Sequence, residues 1–91
     1  MYILITYDIS SDKRRNKVDK LLSSYGTRVN YSVFELEIKN HLFSNLHFTL
    51  SKLMHKDDSI RLYRFSKKTI QESVELGENR DNPFDKESAY V

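Results

Sequence analysis

This 91-residue chain predicts an α+β domain of ferredoxin-like type, with order βαββαβ and an extra C-terminal strand. Three observations carry that expectation. Two segments repeat apolar residues at the 3.6-residue helical period, and they alternate with segments of period two. The opening stretch is apolar on both faces, as a central strand must be. A single proline and two glycines leave few breaks, so the elements are joined by short polar turns.

Residues 2–8 form the first strand, with Ile3, Ile5 and Tyr7 on one face and Leu4, Thr6 and Asp8 on the other. Ser10, Ser11 and Asp12 offer N-caps to a helix whose stripe is Val18, Leu21, Leu22 and Tyr25. Gly26 stands where a left-handed C-cap is expected. Residues 27–38 read as two short strands broken near Tyr31 and Ser32, the second alternating Phe34, Leu36 and Ile38 against Val33, Glu35 and Glu37. Asn40 is the expected cap of a second helix with the stripe Leu42, Phe43, Leu46, Leu50, Leu53 and Met54. Residues 59–65 form a strand that opposes Ile60 and Leu62 to Arg61, Tyr63 and Phe65. Gln71–Leu76 reads as a last strand ended by Gly77. Residues 1–77 are thus expected to be the domain, and 78–91 a charged tail.

Two helices cover one face of such a sheet. Leu4, Thr6 and Tyr63 or Phe65 remain on the other, and a second copy of the chain is the simplest cover. A chain this short buries only about 60–65% of its unfolded surface, which also favours a homodimer. The absence of cysteine rules out disulfides and thiolate metal sites and suits a cytoplasmic location. The apolar N-terminal stretch is short and meets Asp8, so it reads as a strand rather than a signal peptide. No run approaches membrane-spanning length.

The net charge of +2 is unevenly spread, with +6 over residues 1–68 and −4 over residues 69–91. A basic body is the footprint of a polyanion binder. Lys13, Arg14, Arg15 and Lys17 crowd the first turns of the first helix. Positive charge there opposes the macrodipole, and a cluster that breaks a local rule marks a candidate phosphate surface. Asp8 ends the first strand, where α/β folds collect ligands. It either caps the coming helix or offers a carboxylate to Mg²⁺ or Mn²⁺, and two Asp8 side chains across a dimer axis make the better site. Arg28 is placed to serve phosphate or a local carboxylate. Ser32, at the strand break, satisfies backbone or touches phosphate, and the period of Phe34 puts it in the core. His41, His47 and His55 fall on different sides of a helix, against a histidine metal site. No P-loop, dinucleotide motif or nucleophile elbow is present.

The strings Tyr2-Ile3-Leu4-Ile5-Thr6-Tyr7-Asp8-Ile9, Asp12-Lys13-Arg14-Arg15, Tyr25-Gly26-Thr27-Arg28-Val29 and Ser32-Val33-Phe34-Glu35 occur in an order and spacing that resembles the CRISPR-associated Cas2 family. The resemblance runs across residues 1–65. It implies a homodimer with sheets face to face, the last strand adding to the partner's sheet, and Asp8 of each chain near the axis binding Mg²⁺ or Mn²⁺. It implies metal-dependent endonuclease activity on RNA or double-stranded DNA. It also implies a bridging place in the spacer-acquisition complex between dimers of the CRISPR integrase. Tyr7, Asp8, Arg14 or Arg15, Arg28, Ser32 and Phe34 fall on the family's motif positions, with Tyr7, Asp8 and Arg28 as catalytic residues. Asn30 departs from the glutamine more common there. The expected function is a double-stranded-DNA-binding adaptor with endonuclease activity centred on Asp8. The alternative is an RNA-binding module of the RNA-recognition-motif type, which needs exposed aromatics such as Tyr2, Tyr7 or Phe34 for base stacking.

Overall fold

A computed structural model describes residues 1–77; the expected tail, 78–91, lies outside the described residues. The elements are β1 (Tyr2–Asp8), α1 (Asp12–Ser23), β2 (Thr27–Asn30), β3 (Val33–Glu37), α2 (Asn40–Leu53), β4 (Ser59–Phe65) and α3 (Lys67–Glu72). The four strands form one sheet in the order β2-β3-β1-β4, and every neighbouring pair is antiparallel. β1 is central, as its two apolar faces require. β3 separates β1 from β2, which makes the first βαβ unit a split one.

The helices lie on one face. Ile3, Ile5, Tyr7, Phe34 and Leu36 from the sheet meet Val18 and Leu22 of α1 and Leu46 and Leu50 of α2. Phe34, Ile3, Ile5, Leu22, Leu36 and Leu46 are fully buried, and each such side chain contributes about 1.5–3 kcal/mol on leaving water. α1 and α2 leave the opposite face of the sheet uncovered. Leu4 and Thr6 are half-buried there, and Tyr63 is 43% exposed.

Ser11, one of the three caps the sequence offers, caps α1 and leaves Asp8 out of that role: the Ser11 backbone is extended and its hydroxyl accepts the Arg14 N–H at 3.2 Å. Two local details differ from the sequence expectation. Asn40 is the first residue of α2 rather than its cap; Lys39 holds the cap position without a side-chain bond. Gly26 is not left-handed, since Gly77 is the only described residue with positive φ. A Cβ on Gly26 would fall far inside contact distance of the Glu35 carbonyl oxygen and 2.7 Å from Leu36 Cγ. Glycine is needed because β3 passes that close.

The last strand is also corrected. Lys67–Glu72 is helical, started by the Ser66 hydroxyl accepting the Thr69 N–H at 3.1 Å and anchored by buried Ile70. Residues 73–76 then run without strand pairing, leaving Val74 82% and Leu76 91% exposed. The alternation of Val74 and Leu76 has strand character, but a strand needs an edge to pair with, and within the described chain this segment meets none.

Gly26→Ala is expected to destabilise the domain by about 2 kcal/mol, since overpacking against backbone outweighs the entropy gained in the unfolded chain. A urea titration checks this; a midpoint at or above that of the parent contradicts the close-approach explanation.

Candidate active site

The two-residue period of β1 divides the motif. Tyr7 turns under the helices and is 6% exposed, whereas Asp8 emerges on the uncovered face. Neighbours in sequence therefore belong to two neighbourhoods.

Under the helices, the Tyr7 hydroxyl donates to Asp19 Oδ1 on α1. Asp19 Oδ2 is paired with Arg28 Nη2 at 2.9 Å. The Arg28 guanidinium lies 5.4 Å from the centroid of the Phe34 ring, which stacks beside Tyr7 at 6.3 Å with 25° between planes. Cation, carboxylate, phenol and ring make one closed cluster. Burial, then donation to Asp19 and the charge of that carboxylate, pushes the Tyr7 phenol well above its ordinary range. Tyr7 is thereby held as a hydrogen-bond donor. Of the two partners open to Arg28, the structure supplies the local carboxylate. Asp19 escaped the sequence reading because a carboxylate beside Val18 on a basic helix looks like a solvent-facing charge.

The basic start of α1 is also divided. Arg14 forms a two-pronged pair with Asp58, Nε to Oδ2 at 2.9 Å and Nη2 to Oδ1 at 3.1 Å. The Asp58 side chain is fully buried and also accepts the His55 N–H at 2.8 Å. The Arg14 guanidinium, followed by that N–H, holds the Asp58 carboxyl below the usual carboxylate range. Arg15 donates to the Ile9 carbonyl at 2.9 Å and pairs with Asp12. Lys13 and Lys17 are exposed and have no ion pair within the described residues. The four cations expected to act together are thus two clamps and two solvent-facing charges. Ser32 is half-buried, and its backbone carbonyl accepts the Tyr7 N–H at 3.2 Å.

On the uncovered face, Asp8 makes no hydrogen bond or ion pair among the described residues. It opens into a cleft of about 350 Å³ lined with Thr6, Tyr7, Ser59, Arg61 and Tyr63. Ser59 pairs with Asp8 and Arg61 with Thr6 across β1 and β4. A hard cation seeks six or more oxygens. No group of three potential metal-ligating side chains occurs among the described residues, so the Asp8 carboxylate of one chain does not by itself make such a site.

The RNA-recognition-motif alternative loses two of its three candidate rings to burial, and the third, Tyr2, is half-buried. Phe34 is fully buried and Tyr7 nearly so, both against the helices, which leaves neither ring a face for a base. No described helix is long and apolar enough to cross a membrane.

Two outcomes follow from the buried partners. The depressed Asp58 carboxyl contributes stability above its unfolded value of about 3.9, lost as pH falls through the lower folded value. Asp58→Asn should lower the melting temperature at neutral pH and flatten its fall below pH about 4; an unchanged acid limb contradicts the assignment. In a tyrosinate absorbance titration, one of the six tyrosines should ionise late, beyond the ordinary value of about 10. Tyr7→Phe should remove that late component.

The family model for CRISPR associated protein Cas2 matches residues 1–73. The CRISPR-associated endoribonuclease Cas2 3 of Chloroflexus aurantiacus is 42% identical over 78 residues, covering 85% of this chain and 84% of its own length. The endoribonuclease Cas2 2 of Methanospirillum hungatei is 41% identical over 76 residues, covering 84% and 85%. Among solved structures, Streptococcus pyogenes Cas2 matches with a TM-score of 0.73 at 34% identity, covering 85% of this chain and 100% of that one. A chain in a partial Cas6-RT-Cas1–Cas2 complex matches with a TM-score of 0.71 at 32% identity, covering 82% and 89%. With fold, motif order and sequence in agreement along that span, the chain belongs to the CRISPR-associated protein Cas2 family.

Proposed function

We propose that this chain acts as a homodimer that hydrolyses phosphodiester bonds of RNA at a centre built on Asp8. The observation that carries the reading is the Asp8 carboxylate itself, exposed at the end of a rigid central strand, in a cleft, with no partner among the described residues. The relatives named endoribonucleases support the substrate class.

A second copy laid on the uncovered face would cover Leu4, Thr6 and Tyr63 and bring Asp8 towards the partner's Asp8, with the rim of the Asp8 cleft left open to substrate. Exposed Val74 and Leu76 suit a segment that adds to the partner's sheet. The two carboxylates would hold Mg²⁺ or Mn²⁺, which supplies Lewis acidity and a bound water of lowered pKa. The chain's own contribution is positioning. The Tyr7–Asp19–Arg28–Phe34 cluster fixes the end of β1, the Arg14–Asp58 pair fixes α1 to the entry of β4, and Lys13 and Lys17 face solvent where a phosphate backbone can lie.

A second reading is a structural adaptor between double-stranded DNA and the CRISPR integrase in spacer acquisition. The matched chain in a complex with Cas1 favours it, as does the net +6 of residues 1–68. The two readings share the dimer and differ in what Asp8 does.

Purified protein with Mg²⁺ or Mn²⁺ and single-stranded RNA distinguishes them. Asp8→Asn should lower cleavage by about 100-fold or more, the scale of a principal catalytic group, while sedimentation still shows a dimer. Equal cleavage by the variant overturns the Asp8 centre and leaves the adaptor reading standing.

A further inference from the structure

We propose that Arg61 is the phosphate-binding cation of the Asp8 cleft, its guanidinium contacting the non-bridging oxygens of the phosphodiester presented to Asp8. This rests on the Asp8 centre proposed above.

The other described arginines are committed. Arg14 is held by Asp58, Arg15 by Asp12 and the Ile9 carbonyl, and Arg28 by Asp19. Arg64 lies 5.7 Å from the centroid of the Phe43 ring of α2, on the helix side of the sheet. Arg61 alone among the described arginines projects from the face that carries Asp8. It stands opposite Thr6, and Asp8 stands opposite Ser59, so Asp8 and Arg61 are diagonal neighbours on adjacent strands. That diagonal spans about 7–8 Å between backbones, within reach of a long side chain. Both line the same cleft.

The pair is close without being joined. No ion pair links them, and among the described residues the only side-chain hydrogen bond of Arg61 is a long one, Nη1 to the Tyr63 hydroxyl at 3.4 Å. The guanidinium therefore keeps most of its five donors for a ligand. Its planar fork matches two phosphate oxygens as an ammonium does not. Charge points the same way. The described strand residues of this face include the acids Asp8, Glu35 and Glu37, and Arg61 is their only base. A polyanion approaching the Asp8 carboxylate needs a cation beside it, and Arg61, two residues along β4 from the Ser59 partner of Asp8, supplies one. Arg61 transfers no proton in this role; it holds the phosphate and offsets charge as a fifth oxygen arrives.

The test uses the full dimeric protein and a single-stranded RNA. In EDTA, Arg61→Ala should weaken RNA binding about 10-fold and reduce the salt slope of binding by about one. Arg61→Lys should restore the slope but not the full affinity. With Mg²⁺, both variants should lose more in kcat than in KM. Arg64→Ala removes the same charge from the opposite face and should leave binding within about twofold. Sedimentation should show every variant dimeric.

Unchanged binding and cleavage in Arg61→Ala overturns the proposal. So does an equal loss in Arg64→Ala, which would make the effect one of net charge. So does loss of the dimer alongside activity, which would make Arg61 a subunit contact. Cleavage that dies with Asp8→Asn but survives Arg61→Ala defeats only this inference; cleavage that survives Asp8→Asn defeats the centre beneath it.

Discussion

A β-strand sends successive side chains to opposite faces, and in β1 that constraint decides where chemistry can occur. Ile3, Ile5 and Tyr7 are drawn into the core. Shifting the strand by one residue would bury Leu4, Thr6 and Asp8 instead, stranding a carboxylate among apolar side chains. The register is fixed on both sides, since β1 pairs with β3 and β4 along most of its length. Asp8 is therefore delivered to the uncovered face by the packing of Ile3, Ile5 and Tyr7 under the helices. The Tyr7 hydroxyl adds a tether at the adjacent position, tying the end of the strand through Asp19 to α1 and through Arg28 to β2.

The second organising influence is the pairing of cations with nearby carboxylates. Asp58 is buried at the entry of β4, and the two-pronged Arg14 contact with the His55 N–H satisfies it. Removing Arg14 would leave a buried charge unmatched, which is costlier than never having placed it there. Asp19 does the same for Arg28, less deeply. These pairs turn apparent surface charge into internal fastening. The cations left facing solvent are fewer than composition suggests; they include the lysines of α1 and Arg61 on the open face, with Lys39, Lys52 and Lys56 elsewhere. A nucleic acid held by the α1 lysines and Arg61 would cross from the α1 end of the sheet to the Asp8 cleft.

The fold was legible because its signals are local. The alternation of β1, β3 and β4 and the helical stripes of α1 and α2 can be read from short windows, and burial follows them, Phe34 included. What was not legible depends on contacts between distant segments. Asp19 and Asp58 acquire their partners, and Arg61 its place beside Asp8, only once strand order and helix placement are known. No window of sequence shows that Arg61 lies diagonal to Asp8 or that Arg14 reaches 44 residues ahead. Gly26 looked like a helix cap and proved to be a point of close approach to β3. Residues 71–76 looked like a strand because Val74 and Leu76 alternate, while the Ser66 cap commits residues 67–72 to a helix and residues 73–76 pair with neither free edge of the sheet. Asp8 itself remained balanced between cap and ligand until Ser11 was seen to fill the cap.

The central claim is that the open face of the sheet becomes a metal-binding two-fold centre when a second copy covers it. A crystal structure of the protein grown with Mn²⁺, with anomalous scattering recorded at the manganese edge, tests it most directly. The expected result is a dimer joined through the β1–β4 face, with an anomalous peak bound by Asp8 and the partner's Asp8. A dimer joined through the helices, or a peak elsewhere with the two Asp8 side chains facing solvent far apart, would contradict it.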